Sequence, residues 1–107
     1  MRATEFSVDV RRSEETAVLE LAGDISSGAE SRLLEAYAET GDAHVIVLDF
    51  SAVDYINSTG IALIVGLLAE SRKSSREVQA RGLAEHYREI FRITRLSDFM
   101  TILDDER

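Results

Sequence analysis

The stretch that most limits what this chain can fold into spans residues 44–60. Residues 44–50, His-Val-Ile-Val-Leu-Asp-Phe, contain almost no polar residue. Such a run predicts a strand buried on both faces, as a central parallel strand of an α/β sheet is. After residues 51–56, Asn57 and Ser58 stand directly before a second apolar run, residues 61–69. Both are good N-cap residues, so a helix is expected to start there with its unpaired backbone N–H groups facing outward. A small hydroxyl then lies at the positive end of a helix dipole. That place favours an added anion and would hold a phosphoserine without unfolding the helix below it.

The flanks supply the rest of a sheet. Residues 6–10 alternate apolar and polar side chains, the pattern of a strand with one covered face. Residues 11–15 read as a charged connector, and residues 16–22 as a second strand, antiparallel to the first because the link is short. Gly23-Asp24 is expected to close it. Ser27-Gly28-Ala29-Glu30 matches a capping box and predicts a helix in which Ala29, Leu33, Ala36 and Tyr37 face the sheet while Glu30, Arg32, Glu35 and Glu39 face water. Gly41 stands where helix-terminating glycines do.

In the helix from Ser58, a wheel puts Ile61, Ile64, Val65 and Leu68 on one face, towards the sheet. Leu63 and Leu67 fall on the opposite face, either against the next helix or on a partner-docking patch. Residues 70–76 end the helix and form a loop, and 77–80 read as a strand. Tyr87, Ile90, Phe91 and Thr94 recur at helical spacing over 84–94. Residues 99–103 read as a last strand, and 104–107 as a frayed acidic end. The order β-β-α-β-α-β-α-β predicts an α/β fold, a mixed, mostly parallel β-sheet covered by amphipathic helices, with residues 1–107 as one domain.

Composition excludes several functions. The 107 residues hold no cysteine, so disulfides, thiolate metal sites and cysteine nucleophiles are out. Twenty acidic against 12 basic residues give a net charge of −8, which repels phosphodiester backbones and anionic lipid heads, so no direct nucleic-acid partner is expected. No run approaches the roughly 20 apolar residues that span a bilayer. Neither a signal peptide nor membrane insertion is expected, and the protein is placed in the cytoplasm.

No catalytic constellation emerges, and no cofactor or metal is expected. Asp49 ends a buried strand, where open sheets place their chemistry. The plain reading is a carboxylate that orders the following loop. The sharper one, a phospho-accepting aspartate, lacks the acidic pair and the lysine such a site needs. No G-x-S-x-G elbow surrounds Ser58, and Gly60 alone is no phosphate-cradling loop. His44 and His86 lie far apart in the chain without ligand spacing. Ser58 itself is either a plain helix cap or a phosphorylation site, and Thr59 is the rival acceptor if the helix starts one residue later.

Three segments together resemble a known family: Gly23-Asp24-Ile25, residues 47–56 (Val-Leu-Asp-Phe-Ser-Ala-Val-Asp-Tyr-Ile), and Asn57-Ser58-Thr59-Gly60. They are similar, over nearly the full chain, to the STAS domain of bacterial anti-sigma factor antagonists. Residues 82–96 also look like that family's third helix and following turn. The resemblance implies that Ser58 is the serine phosphorylated by a partner kinase that doubles as an anti-sigma factor. The family's usual aspartate is Asn57 here, which keeps the capping ability and removes a charge beside the hydroxyl. A fourth, C-terminal helix common in the family is expected to be absent or very short.

What the resemblance implies is a non-enzymatic switch that sequesters an anti-sigma factor serine kinase of the histidine-kinase ATPase fold while Ser58 is unphosphorylated. A sigma factor is thereby freed, and a PP2C-type phosphatase is the expected second partner. The expected contact residues are Asp24, Asn57, Ser58, Thr59, Gly60, Leu63 and Leu67. The alternatives are a STAS subunit of a lipid-transport ABC complex, docked through the same helix face, or a STAS scaffold module of a larger signalling assembly.

Overall fold

The computed structural model of the chain describes residues 4–103. Strands β1 (Ser7–Ser13) and β2 (Thr16–Ile25) lead through a 3-10 turn at Ser27–Ala29 into α1 (Glu30–Glu39). Then follow β3 (Val45–Ile56), α2 (Ser58–Lys73), β4 (Glu77–Arg81), α3 (Glu85–Ile93), a 3-10 turn at Leu96–Asp98, and β5 (Thr101–Ile102). The sheet order is β1-β2-β3-β4-β5, with β1 antiparallel to β2 and the other pairs parallel. This is the expected architecture.

Each crossover from β2 onward advances one strand in the same direction. Right-handed crossovers of that kind put every helix on the same face of the sheet. Burial agrees. Ala17, Leu19, Leu21 and Ile25 of β2, Ile46, Leu48 and Phe50 of β3, and Val78 and Ala80 of β4 form one core with Leu33 and Ala36 of α1, Ile64, Leu67 and Leu68 of α2, and Phe91 of α3. The Phe91 and Phe50 rings meet edge to face at 6.1 Å between centroids, which anchors α3 over the middle of β3.

The expectation that the apolar run of β3 is buried on both faces is corrected by this arrangement. Val45 and Asp49, on the face away from the helices, are only half-buried, as are Val18, Glu20, Gln79 and Arg81 beside them. Val47 is buried there without a covering helix. Its register partners Val18 and Gln79 flank it on the neighbouring strands. A central strand is shielded by its neighbours as well as by a layer above it.

Several boundaries move. β1 runs through the supposed connector to Ser13, leaving only Glu14 and Glu15 to turn, with Glu14 in the left-handed region at φ 56°. β2 does not stop at Gly23-Asp24 but continues to Ile25, aided by register shifts between Glu20 and Ala22 and between Gly23 and Asp24. The capping box does not form: a 3-10 turn leads into α1, whose N-cap is Ala29 with no side-chain cap bond. Gly41, at φ 60°, follows the end of α1 as expected. Thr94 is exposed and donates its hydroxyl to the carbonyl of Ile90 at 2.7 Å, closing α3 instead of packing inward. The last strand is only two residues long, and Phe99 is exposed with the Arg72 guanidinium over its ring. Residues 104–107, expected to fray, lie outside the described residues.

The largest correction is the rotation of α2. Gly60, Ile64, Leu67, Leu68 and Ser71 are buried, whereas Val65 is 43% exposed and Ile61 half-buried. Leu67 is a core residue. Its neighbour Leu63 is half-buried and faces α1, not α3.

Candidate partner-binding site

β2 and β3 end side by side, Ile25 opposite Ile56 in register. There the backbone N–H of Asn57 donates to the carbonyl of Ile25 at 3.2 Å, and the chain turns into α2. Asn57 is extended, at φ −95° and ψ −175°, and its Oδ1 accepts the N–H of Gly60 at 2.8 Å. That is an N-cap bond to the third helical residue, so the asparagine and not the serine closes the helix end. Ser58 and Thr59 take the first two helical positions, both exposed. Their backbone N–H groups are among the donors that have no partner inside a helix.

Two further contacts fix this turn. Gly60 is buried, and a Cβ built on it would overlap the carbonyl oxygen of Ile25. Only glycine lets the first turn of α2 lie this close to β2. From α3, the hydroxyl of Tyr87 accepts the N–H of Ile56 at 3.0 Å. The helical spacing of Tyr87, Ile90, Phe91 and Thr94 does not by itself point to this role. The available signal was the residue type, because a tyrosine packed inward must find a partner for its hydroxyl.

The electrostatics of the turn favour anions. No acidic residue lies in the first turn of α2, and Arg72 and Lys73 stand in its last turn, as the helix dipole favours. Of the expected contact residues, the structure therefore brings Asn57, Ser58, Thr59 and Gly60 together at one helix end. Asp24 stands on the adjoining strand end, half-buried, accepting the N–H of Thr4 at 3.2 Å and donating its own N–H to the Thr4 carbonyl at 3.1 Å. It ties the segment before β1 to β2. Leu63 lies further along α2 in a groove against α1, and Leu67, only 7% exposed, belongs to the core beneath.

Asp49 fills the plain role. Its Oδ1 accepts the N–H and hydroxyl of Ser51 at 2.9 and 2.7 Å, and its Oδ2 lies 3.2 Å from Arg81 Nε. Burial opposes ionisation of this carboxyl, but the bonds from Ser51 and Arg81 outweigh it and hold the pKa below the ordinary value. His44 is exposed, 3.6 Å from Glu15, and His86 is exposed beside the Tyr87 ring. Among the described residues no group of three or more His, Asp or Glu could hold a metal ion, and no helix is long and apolar enough to cross a membrane.

The fold and this helix end define a class: a small α/β domain with a serine exposed at the N-terminus of its second helix. A family model described as "Mlab, STAS domain" matches residues 8–104, and the chain belongs to the STAS domain family. The anti-sigma-B factor antagonist of Listeria monocytogenes is 30% identical over 88 residues, covering 80% of this chain and 77% of the relative. That of Bacillus subtilis is 30% identical over 101 residues, covering 91% and 90%. The fold is that of the anti-sigma factor antagonist SpoIIAA in its unphosphorylated form, with a TM-score of 0.72 at 17% identity over 94% of this chain and 89% of that one. An anti-sigma factor antagonist from Mycobacterium paratuberculosis superposes with a TM-score of 0.71 at 22% identity, covering 91% and 84%.

Proposed function

We propose that the chain is an anti-sigma factor antagonist, a cytoplasmic, non-enzymatic switch. With a free hydroxyl on Ser58 it sequesters an anti-sigma factor serine kinase of the histidine-kinase ATPase fold and so frees a sigma factor for transcription. Phosphorylation of Ser58 releases the kinase, and a PP2C-type phosphatase restores the binding form. The observation that carries this reading is the division of labour at the start of α2. Asn57 caps the helix, so the exposed Ser58 hydroxyl beside it is left for other chemistry.

The physical logic has two sides. A phosphate of about −1.5 to −2 charges at the first helical position is tolerated by the fold, because free N–H groups and the dipole meet it. The same charge at the rim of a protein interface must be desolvated and opposes any acidic groups facing it, which weakens binding. The contact surface in this reading consists of Asn57, Ser58, Thr59 and Gly60, with Asp24 on the adjoining strand end and Leu63 along the helix. The experiment is incubation of the purified chain with the candidate kinase and ATP, read by intact mass, with Ser58→Ala and Thr59→Ala alongside. Copurification with a membrane transporter and no phosphorylation would instead favour the lipid-transport subunit.

A further inference from the structure

A groove of about 370 Å³ runs between α1 and α2. Leu33, Leu34 and Tyr37 form one wall, and Leu63, Gly66 and Leu67 the other. The Tyr37 hydroxyl lies 2.9 Å from the Ser71 hydroxyl, so a hydrogen bond spans the two helices and the groove is preformed.

Two features of its walls point to an occupant. The first is Gly66, in the interior of a 16-residue helix. Glycine there is less favourable than alanine, and a Cβ built on it meets no atom within 4 Å. Unlike Gly60, this glycine answers no need of the chain's own packing; what it keeps open is the groove. The second is charge. The charged groups lining the groove are Glu30 and Glu70; Arg76, whose guanidinium lies over the outer Tyr37 ring, is already engaged by the Thr40 hydroxyl and the Gly41 carbonyl, and Leu34 is 62% exposed.

That combination selects among occupants. An acidic rim repels the carboxylate of a fatty acid, and it repels a second copy of a chain with net charge −8. It suits a helix whose apolar stripe is flanked by lysine or arginine, because such a helix matches both the apolar floor and the negative rim. We propose that the α1–α2 groove is a docking site for one basic amphipathic helix of a protein partner. Its apolar stripe would lie on Leu34, Leu63 and Gly66, and its cations would meet Glu30 and Glu70. Gly66 lies about two helical turns from Ser58, so this is a second contact surface, which shares only Leu63 with the one around the hydroxyl. It does not rest on the phosphorylation switch.

The test titrates three probes into the isotope-labelled full chain and follows backbone amide shifts. They are a synthetic leucine-lysine amphipathic helix of about four turns, its leucine-glutamate counterpart, and laurate. The lysine peptide is expected to move the amides of residues 30–37 and 62–70 together, saturably, and less at high salt; the other two probes are not. Gly66→Leu, which fills the groove from its α2 wall, should weaken the lysine peptide at least about tenfold. The surface double variant Glu30→Lys, Glu70→Lys should do the same while improving the glutamate peptide, which covers the case of a misfolded Gly66→Leu. Shifts scattered over the acidic surface would overturn the proposal. So would unchanged affinity in both folded variants, or laurate binding in the groove. No kinase or ATP is present, so failure here leaves the Ser58 reading untouched.

Discussion

Gly60 and Gly66 share a helix and have opposite needs. Alanine at Gly60 would press its methyl group into the Ile25 carbonyl, so α2 or β2 must shift. Gly60→Ala is expected to cost about 1–3 kcal/mol, the usual range for overpacking, and Gly66→Ala to gain about 0.5–1 kcal/mol of helix propensity. Urea denaturation of the two variants side by side checks the pair, and equal midpoints would sink it. At the helix end, Asn57→Ala should lose about 1 kcal/mol of capping, while Ser58→Ala, whose side chain does not cap the helix, should stay within about 0.5 kcal/mol of the parent. Asp49 adds a pH dependence. Its folded pKa lies below the unfolded value of about 3.9, so its contribution is complete above that pH and fades as the pH falls through the folded pKa. Asp49→Asn should lose about 1 kcal/mol at neutral pH and should lose less further stability than the parent on acidification. A variant with an acid limb parallel to that of the parent would show that the carboxylate contributes nothing.

At the scale of elements, legibility depended on how one-sided each segment is. In α1 Leu33 and Ala36 are buried and Glu30, Arg32, Glu35 and Glu39 exposed, as the pattern of charges implies, whereas Tyr37 is half-buried and turns to α2, where its hydroxyl meets Ser71. The run from Ile61 to Ala69 in α2 is apolar almost all the way round, interrupted only by Gly66, so a wheel had no polar face from which to fix the rotation. It missed the core position of Leu67, and it missed Ser71, a buried hydroxyl whose partner on α1 is distant in sequence. Leu67→Ala is therefore expected to cost about 2–5 kcal/mol, and Val65→Ala no more than about 0.5 kcal/mol. The reverse ranking in thermal or urea unfolding would restore the rotation read from the wheel. Gly23-Asp24 misled for a different reason. Glycine followed by aspartate is a turn signal, but here the pair lies in an irregular stretch of a continuing strand, which nothing local distinguishes from a turn.

At the scale of the molecule, the order of elements was readable because parallel crossovers demand helices between strands. The one-sided layering was not, because an apolar run such as 44–50 is compatible with cover from helices or from flanking strands. The candidate site could be read only where the chain is continuous, at Asn57-Ser58-Thr59-Gly60, whereas the bonds from Tyr87 and Ile25 that hold this turn come from elsewhere in the fold. In the proposed switch, the turn held by Tyr87 and Ile25, the cap supplied by Asn57 and the exposed serine would let charge change at Ser58 without the fold changing. The most direct measurement is calorimetric titration of the proposed kinase partner with the unmodified chain, Ser58→Ala, the Ser58-phosphorylated chain and Ser58→Asp, each first shown by melting to be folded, beside the phosphorylation assay. The expected result is tight binding by the unmodified chain, and by Ser58→Ala, with the phosphorylated chain and Ser58→Asp weakened at least about tenfold at unchanged stability. Equal affinity of the phosphorylated and unmodified chains, or full phosphorylation of Ser58→Ala, would contradict the switch.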